Sequence, residues 1–292
     1  MSFVTLFQEN PTIFIFVAGV IGLLVGSFLN VAIHRLPIMM EREWKSQCRD
    51  LFGQECPADE ASESEIVFNL SKPRSPCPNC DHAIAALEII PVSSYLILGR
   101  KCKGCGNKIS ARYPIVELLT AILTAVVAWR FGFGWAACGG IILTWALIAL
   151  SGIDFDTQLL PDSITLPLLW LGIGFNMFGT FTDLQSSIIG TMAGYLSLWS
   201  VYWAFKIITK KDGMGFGDFK LLAVIGAWLG WKILPLTIIL SSLAGAVIGI
   251  SLILFKSHGR EVPIPFGPYL AIAGWIALCW GHDLTNMYLR SL

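Results

Sequence analysis

The 292-residue chain is 55% hydrophobic and 14% charged, with a mean hydropathy of +0.67, which excludes a soluble globular protein and marks a polytopic membrane protein. Twenty Lys and Arg balance twenty Asp and Glu. With no overall basic bias, nucleic acid is not expected as a partner, and partners must be sought at local sites.

The first apolar run, 11–33, holds no ionisable side chain, and no Lys or Arg precedes Arg35. A cleavable signal peptide would begin with basic residues and have a shorter apolar core, so this run is expected to remain as a spanning helix. Further spans are predicted over 114–129, 135–153, 164–181, 185–205, 218–231, 234–255 and 266–280. Eight helices put both termini on one side of the membrane. Basic residues give the side: seventeen fall in the 35–112 loop and the connections that share its face, against Arg130, Lys232 and Arg290 opposite. Basic segments are retained in the cytoplasm. The 35–112 loop is therefore expected to be cytosolic and both termini periplasmic.

That long loop contains Cys77-Pro78-Asn79-Cys80 and Cys102-Lys103-Gly104-Cys105. Two C-x2-C knuckles in a reducing compartment match the spacing of a structural Zn²⁺ site, and four thiolates leave no open coordination position for catalysis. His82 beside Cys80 is expected to be an ordinary loop histidine. Cys48, Cys56, Cys138 and Cys279 have no such spacing, and the last two read as helix-packing residues. The 54–69 stretch carries Glu55, Asp59, Glu60, Glu63 and Glu65 with no basic residue. It reads as a solvated connector, or as an attractor for a basic peptide.

Two further connections share the cytoplasmic face. After 135–153 comes Ser151-Gly152-Ile153-Asp154-Phe155-Asp156, then Pro161-Asp162, with no Lys or Arg between Arg130 and Lys206. Asp162, ahead of Ser163 and an apolar run, reads as a helix N-cap, and Asp156 as solvated. Asp154, nearest the helix end, is the best candidate for burial. The second connection is Gly213-Met214-Gly215-Phe216-Gly217-Asp218-Phe219-Lys220. Three glycines and a carboxylate at the start of an apolar segment are costly in a bilayer, and predict a locally unwound backbone around a functional acid. The segment after Asp218 is also too short to cross ~30 Å of hydrocarbon at ~1.5 Å per residue. Gly215 and Gly217 are candidates for positioning a substrate strand.

Asp154 and Asp218 thus sit at the ends of two helices on one membrane face. Two carboxylates brought within a few Å share a proton, one acting as base and the other as acid, which is chemistry suited to peptide hydrolysis. The residues alone leave two other readings open: aspartates that never meet, and a transporter in which they bind cations or relay protons. Serine and zinc-protease readings lose support, because His34, His82, His258 and His282 form no H-E-x-x-H and no G-x-S-x-G is present.

At these residues the chain resembles the type IV prepilin peptidase family of leader peptidase/N-methyltransferases. The matching pieces, in order, are Gly26-Ser27-Phe28-Leu29-Asn30-Val31, His34-Arg35-Leu36-Pro37, the two cysteine pairs and Arg112-Tyr113-Pro114-Ile115-Val116-Glu117. They continue with Ile153-Asp154, Leu159-Leu160-Pro161-Asp162, Gly213 to Lys220, and Pro263-Ile264-Pro265-Phe266-Gly267-Pro268-Tyr269. The resemblance implies an all-α, eight-span aspartic protease of the bacterial inner membrane, of the G-x-G-D type, with Asp154 and Asp218 as its catalytic pair. It implies cleavage of the basic leader of type IV prepilins and type II secretion pseudopilins at the cytoplasmic face. Methylation of the new N-terminal residue by S-adenosylmethionine would follow. It further implies an N-terminal helix over 1–36, a cytosolic domain over 37–112 with Zn²⁺ on Cys77, Cys80, Cys102 and Cys105, and a peptidase domain over 113–292. No strand, G-x-G-x-x-G and helix unit is present to hold S-adenosylmethionine in the Rossmann manner, and its binding residues are unassigned. Glu88, Pro91, Ser94 and Tyr95 also match the family without a derivable role. A peptidase-only protein with a structural zinc domain is the alternative.

Overall fold

The computed structural model describes residues 3–52, 69–70, 80, 101–211, 213–256 and 265–291. The helices are α1 (Phe3–Glu9), α2 (Pro11–Phe52), α3 (Arg112–Phe131), α4 (Trp135–Thr157), α5 (Asp162–Asn176), α6 (Leu184–Thr209), α7 (Phe216–Leu229), α8 (Leu234–Lys256) and α9 (Gly267–Ser291), with a 3₁₀ turn at Trp231–Ile233. Among the described residues the only extended pairing is an isolated bridge between Lys101 and Lys108. The protein is all-α, and each predicted span coincides with a helix. Five stretches, Pro11–Leu51, Arg112–Phe131, Trp135–Thr157, Leu184–Thr209 and Trp231–Ser251, are long and apolar enough to cross a bilayer.

Two compact units divide the chain, Phe16–Ala125 and the pair of segments Met1–Ile15 and Val126–Leu292. In the first unit α2 and α3 pack through glycines. A Cβ at Gly22 would come within 2.7 Å of the Thr124 hydroxyl, and one at Gly26 within 2.7 Å of the Glu117 Cα. Such small-residue contacts are how helices approach closely when lipid supplies no hydrophobic drive between them. Asn30 Nδ2 then donates to the Tyr113 carbonyl at 3.1 Å, and Arg35 to the Asn69 carbonyl at 2.9 Å. The predicted span stops at Ile33, but the helix passes through Pro37 and continues to Phe52. Proline removes one backbone bond, yet the polar run that follows is made of good helix formers and carries an i,i+4 pair, Lys45 with Glu41 at 3.1 Å.

The second unit is built around α7. Every residue from Asp218 to Leu229 except Lys220 is buried, so this apolar helix is enclosed by its neighbours. This resolves the length problem posed by the sequence. Fourteen residues make a helix of about 21 Å, short of the hydrocarbon thickness, but its neighbours enclose it and satisfy its end. Asn176 Nδ2 donates to the carbonyls of Ala227 and Trp228 at 2.8 and 2.9 Å, and Ser187 Oγ to Ala227 at 2.6 Å. These are carbonyls that the last turn leaves without an intrahelical partner. The Trp228 indole donates to Leu168 at 2.8 Å.

Glycines again set the packing distance. Gly190 of α6 lies against the backbone of Gly226, and Gly172 of α5 beneath the Trp228 ring. The predicted 164–181 span ends early, at Asn176, whose side-chain Oδ1 accepts from the N–H groups of Phe181 and Thr182 at 3.0 and 3.1 Å. Gly179, at φ 65°, turns the chain back. Cys279 is buried as expected, whereas Cys138 is exposed and does not pack between helices.

Candidate active site and metal centre

Asp154 stands in the last turn of α4, and the helix closes on it: the Gln158 N–H donates to the Asp154 carbonyl at 2.9 Å. Gln158 itself is left-handed, at φ 56°. This is a conformation uncommon outside Gly, Asn and Asp, and it turns the chain at once into the short connection to α5. The Asp154 side chain is 5% exposed, and its Oδ2 accepts a 3.0 Å hydrogen bond from the Gly267 N–H. Gly267 is the first residue of α9, so a helix N-terminus, with its unpaired N–H groups and partial positive charge, faces the carboxylate. A Cβ at Gly267 would lie 2.7 Å from that same Oδ2. Only glycine fits there.

Asp218 occupies the first turn of α7 and is also 5% exposed. Gly215 is the extended residue before the helix, at φ −75° and ψ 144°, and the Asp218 N–H reaches its carbonyl at 3.2 Å. Unwinding is thus confined to the residues up to Gly215. Gly217 is helical, and a Cβ there would meet the Leu160 Cβ at 2.7 Å. Its need for glycine is therefore a close approach to the connection that follows Asp154. The Asp218 Oδ1 is buried and has no hydrogen-bond partner, a costly condition for a carboxylate oxygen. The first turn of α7, which carries Asp218, packs on the connection that follows Asp154: Gly217 lies against Leu160, and Lys220 reaches Asp162.

Asp162 and Asp156 differ from one another in their outcome. Asp156 is exposed. Asp162 is the first residue of α5 and not its cap, which is Pro161. Its two oxygens instead take both contacts from Lys220 Nζ, at 2.6 and 2.7 Å. The partner missing within its own loop comes from α7, 58 positions along the chain. Sequence reasoning quoted Gly267 only within a matching motif and gave Asn176 no role. The signal for the first was present in Pro265-Phe266-Gly267-Pro268, a glycine beside prolines at the start of an apolar run.

In the Phe16–Ala125 unit, Cys80, Cys102 and Cys105 present sulfurs that lie within 4.8 Å of one another, with Cys80 Sγ and Cys102 Sγ 3.9 Å apart. Neighbouring thiolates on a tetrahedral Zn²⁺ would stand about 3.8 Å apart, given Zn–S bonds near 2.3 Å. The 102–107 turn is shaped for this. Cys102 N–H donates to Asn107 and Gly106 N–H to Cys102 at 2.9 Å each, Gly106 has φ 71°, and the Gly104 N–H points at the Cys102 sulfur at 3.4 Å. The donor set fits a soft metal. Cys77 lies outside the described residues, as do Cys56, His82, Glu88, Pro91, Ser94, Tyr95, Pro263, Ile264 and all but the last of the 54–69 stretch.

The fold and site define an integral membrane protein with two buried carboxyl groups at helix ends and a cluster of three cysteines. The type IV leader peptidase family model matches residues 141–250, and the bacterial peptidase A24 N-terminal domain model matches 20–131. A prepilin leader peptidase/N-methyltransferase of Stutzerimonas stutzeri is 55% identical over 290 residues, 99% of either chain. Proteins of the same name from Pseudomonas aeruginosa and Neisseria gonorrhoeae are 54% and 51% identical, covering 97% and 89% of this chain and 96% and 88% of their own. No solved structure matches. The chain belongs to the type IV leader peptidase family and is an enzyme, which sets aside the transporter reading of its aspartates.

Proposed function

We propose that Asp154 and Asp218 are the catalytic pair of a peptidase that removes the leader of type IV prepilins and pseudopilins, and that the same chain N-methylates the new N-terminus. What supports the reading is a pair of buried acids on different helices whose flanking residues touch, Gly217 against Leu160, one acid held by the Gly267 N–H and the other with a partnerless Oδ1. In this mechanism one carboxylate takes a proton from water as the oxygen attacks the scissile carbonyl carbon. The other gives its proton to the carbonyl oxygen. The tetrahedral intermediate then collapses, the C–N bond breaks, and a proton passes to the departing nitrogen. Gly267 fixes the orientation of one acid, and the partnerless Asp218 Oδ1 is the atom that meets water or substrate. Gly215, extended at the mouth of α7, holds the substrate backbone near the pair, and Gly217, packed on Leu160, positions that mouth.

The remaining assignments follow from the same reading. The site faces the cytoplasm of a bacterial inner membrane, with both termini periplasmic, which the asymmetry of Lys and Arg supports. Residues 37–112 form the domain linked to methyl transfer and 113–292 the peptidase. Zn²⁺ sits on Cys77, Cys80, Cys102 and Cys105 and ties their two loops together. S-adenosylmethionine supplies the methyl group.

The test is a cleavage and methylation assay on one prepilin in reconstituted membranes. Asp154→Asn and Asp218→Asn should each abolish cleavage while the protein remains inserted, and turnover by either variant would remove the dyad. Mass measurement of the mature N-terminus decides the second activity. An unmethylated product would leave a peptidase with a structural zinc domain.

A further inference from the structure

The structure assigns a positioning role to Asp162 and Lys220: their ion pair is a latch that holds the Asp154 arm and the Asp218 helix in the reactive register. The inference rests on the reading of Asp154 and Asp218 as the catalytic pair.

Asp154 leaves α4 through a four-residue connection, Gln158 to Pro161, that opens α5 at Asp162. Asp218 enters α7 between Gly217 and Lys220. The connection and the first turn of α7 touch at two points. Gly217 lies against Leu160 with no room for a Cβ, and Lys220 Nζ sits 2.6 and 2.7 Å from both oxygens of Asp162. The two points lie one helical turn apart on α7, at positions i and i+3, so together they fix both the distance and the rotation of α7 against the connection. The start of α7, which carries Asp218, is thereby tied to the chain six and eight residues beyond Asp154, at Leu160 and Asp162.

A partly exposed pair contributes little to stability: here the side chains are 30% exposed for Lys220 and 53% for Asp162. Its placement, and not its strength, gives it a role. Lys220 is the one residue between Asp218 and Leu229 that is not buried, so the apolar core does not dictate a charge there. Asp162 does not cap its own helix, so the N-cap requirement does not account for its carboxylate either. The chemistry to be positioned is steep in distance, because a displacement near 1 Å costs about 10²-fold in rate.

The experiment measures kcat and KM for leader cleavage in membranes with Lys220→Ala, Asp162→Ala, the exchange Asp162→Lys with Lys220→Asp, and Lys220→Arg. The melting temperature of the same preparations in detergent reports folding. The latch predicts that each alanine variant loses about ten- to a hundredfold in kcat with KM within about twofold and an unchanged melting temperature, that the exchange recovers most of the loss, and that Lys220→Arg stays near the parent. Unchanged kcat in the alanine variants overturns it, and so does an exchange no better than the single variants. A loss of cleavage that tracks a lower melting temperature also counts against it, as general destabilisation. Asp154→Asn and Asp218→Asn run alongside: if they still cleave, the dyad reading fails, whereas dead dyad variants beside normal alanine variants reject the latch alone.

Discussion

A single missing methyl group places one of the two acids. At Gly267 a Cβ would stand 2.7 Å from the Asp154 Oδ2 that the Gly267 N–H holds at 3.0 Å. Gly267→Ala must therefore push the carboxylate away from the N-terminus of α9 and lose the hydrogen bond together with the favourable field of the helix end. Cleavage should fall by about 10²-fold, the scale of an ångström's misplacement, with insertion unchanged on a protease-protection gel. An unchanged rate would mean that Asp154 does not need this donor. Gly217→Val acts on the same site from the other side, since a branched side chain there must displace Leu160. Its cleavage rate should fall as well, and a parent-like rate would remove Gly217 from the positioning machinery.

At the scale of elements, α7 is held as much by what ends it as by what surrounds it. Its last carbonyls are received by Asn176 and Ser187, both fully buried. Asn176 also orders the turn into α6 by accepting from Phe181 and Thr182. Asn176→Leu keeps the volume and abandons four hydrogen bonds. Each buried group left unpaired costs about 1–3 kcal/mol, so a clear fall in Tm in detergent is expected. Ser187→Ala removes one bond to Ala227 and should cost about 1 kcal/mol. Equal melting temperatures for the parent and Asn176→Leu would show that water replaces these bonds.

For the whole molecule, the thiolate cluster and the aspartates belong to different compact units. Zinc, in the proposed function, closes a knuckle whose backbone is already shaped around Cys102. Chelation or Cys102→Ser should release one equivalent of metal, measurable by elemental analysis, and expose the 101–108 turn to proteolysis. A turn still protected in the metal-free protein would make the metal dispensable to its folding. Comparing cleavage and methylation after metal release then separates the contributions of the two units.

Composition alone determined the class of this protein, because so apolar a chain has to bury its helices in lipid or in each other. The cysteine spacing marked a metal knuckle, because two residues between thiolates set a ligand bite that is local in the chain. Local signals also marked Asp154 and Asp218, since carboxylates at the ends of apolar runs are costly wherever the chain goes. The tertiary structure decided everything that depends on distant residues: that the first turn of α7 packs on the connection after Asp154, that Gly267 binds that acid, that Asp162 pairs with Lys220 and caps nothing, and that a helix this short can sit enclosed by others. Each of these is a contact between segments far apart in sequence, set by which faces pack together, and no local propensity or spacing encodes it.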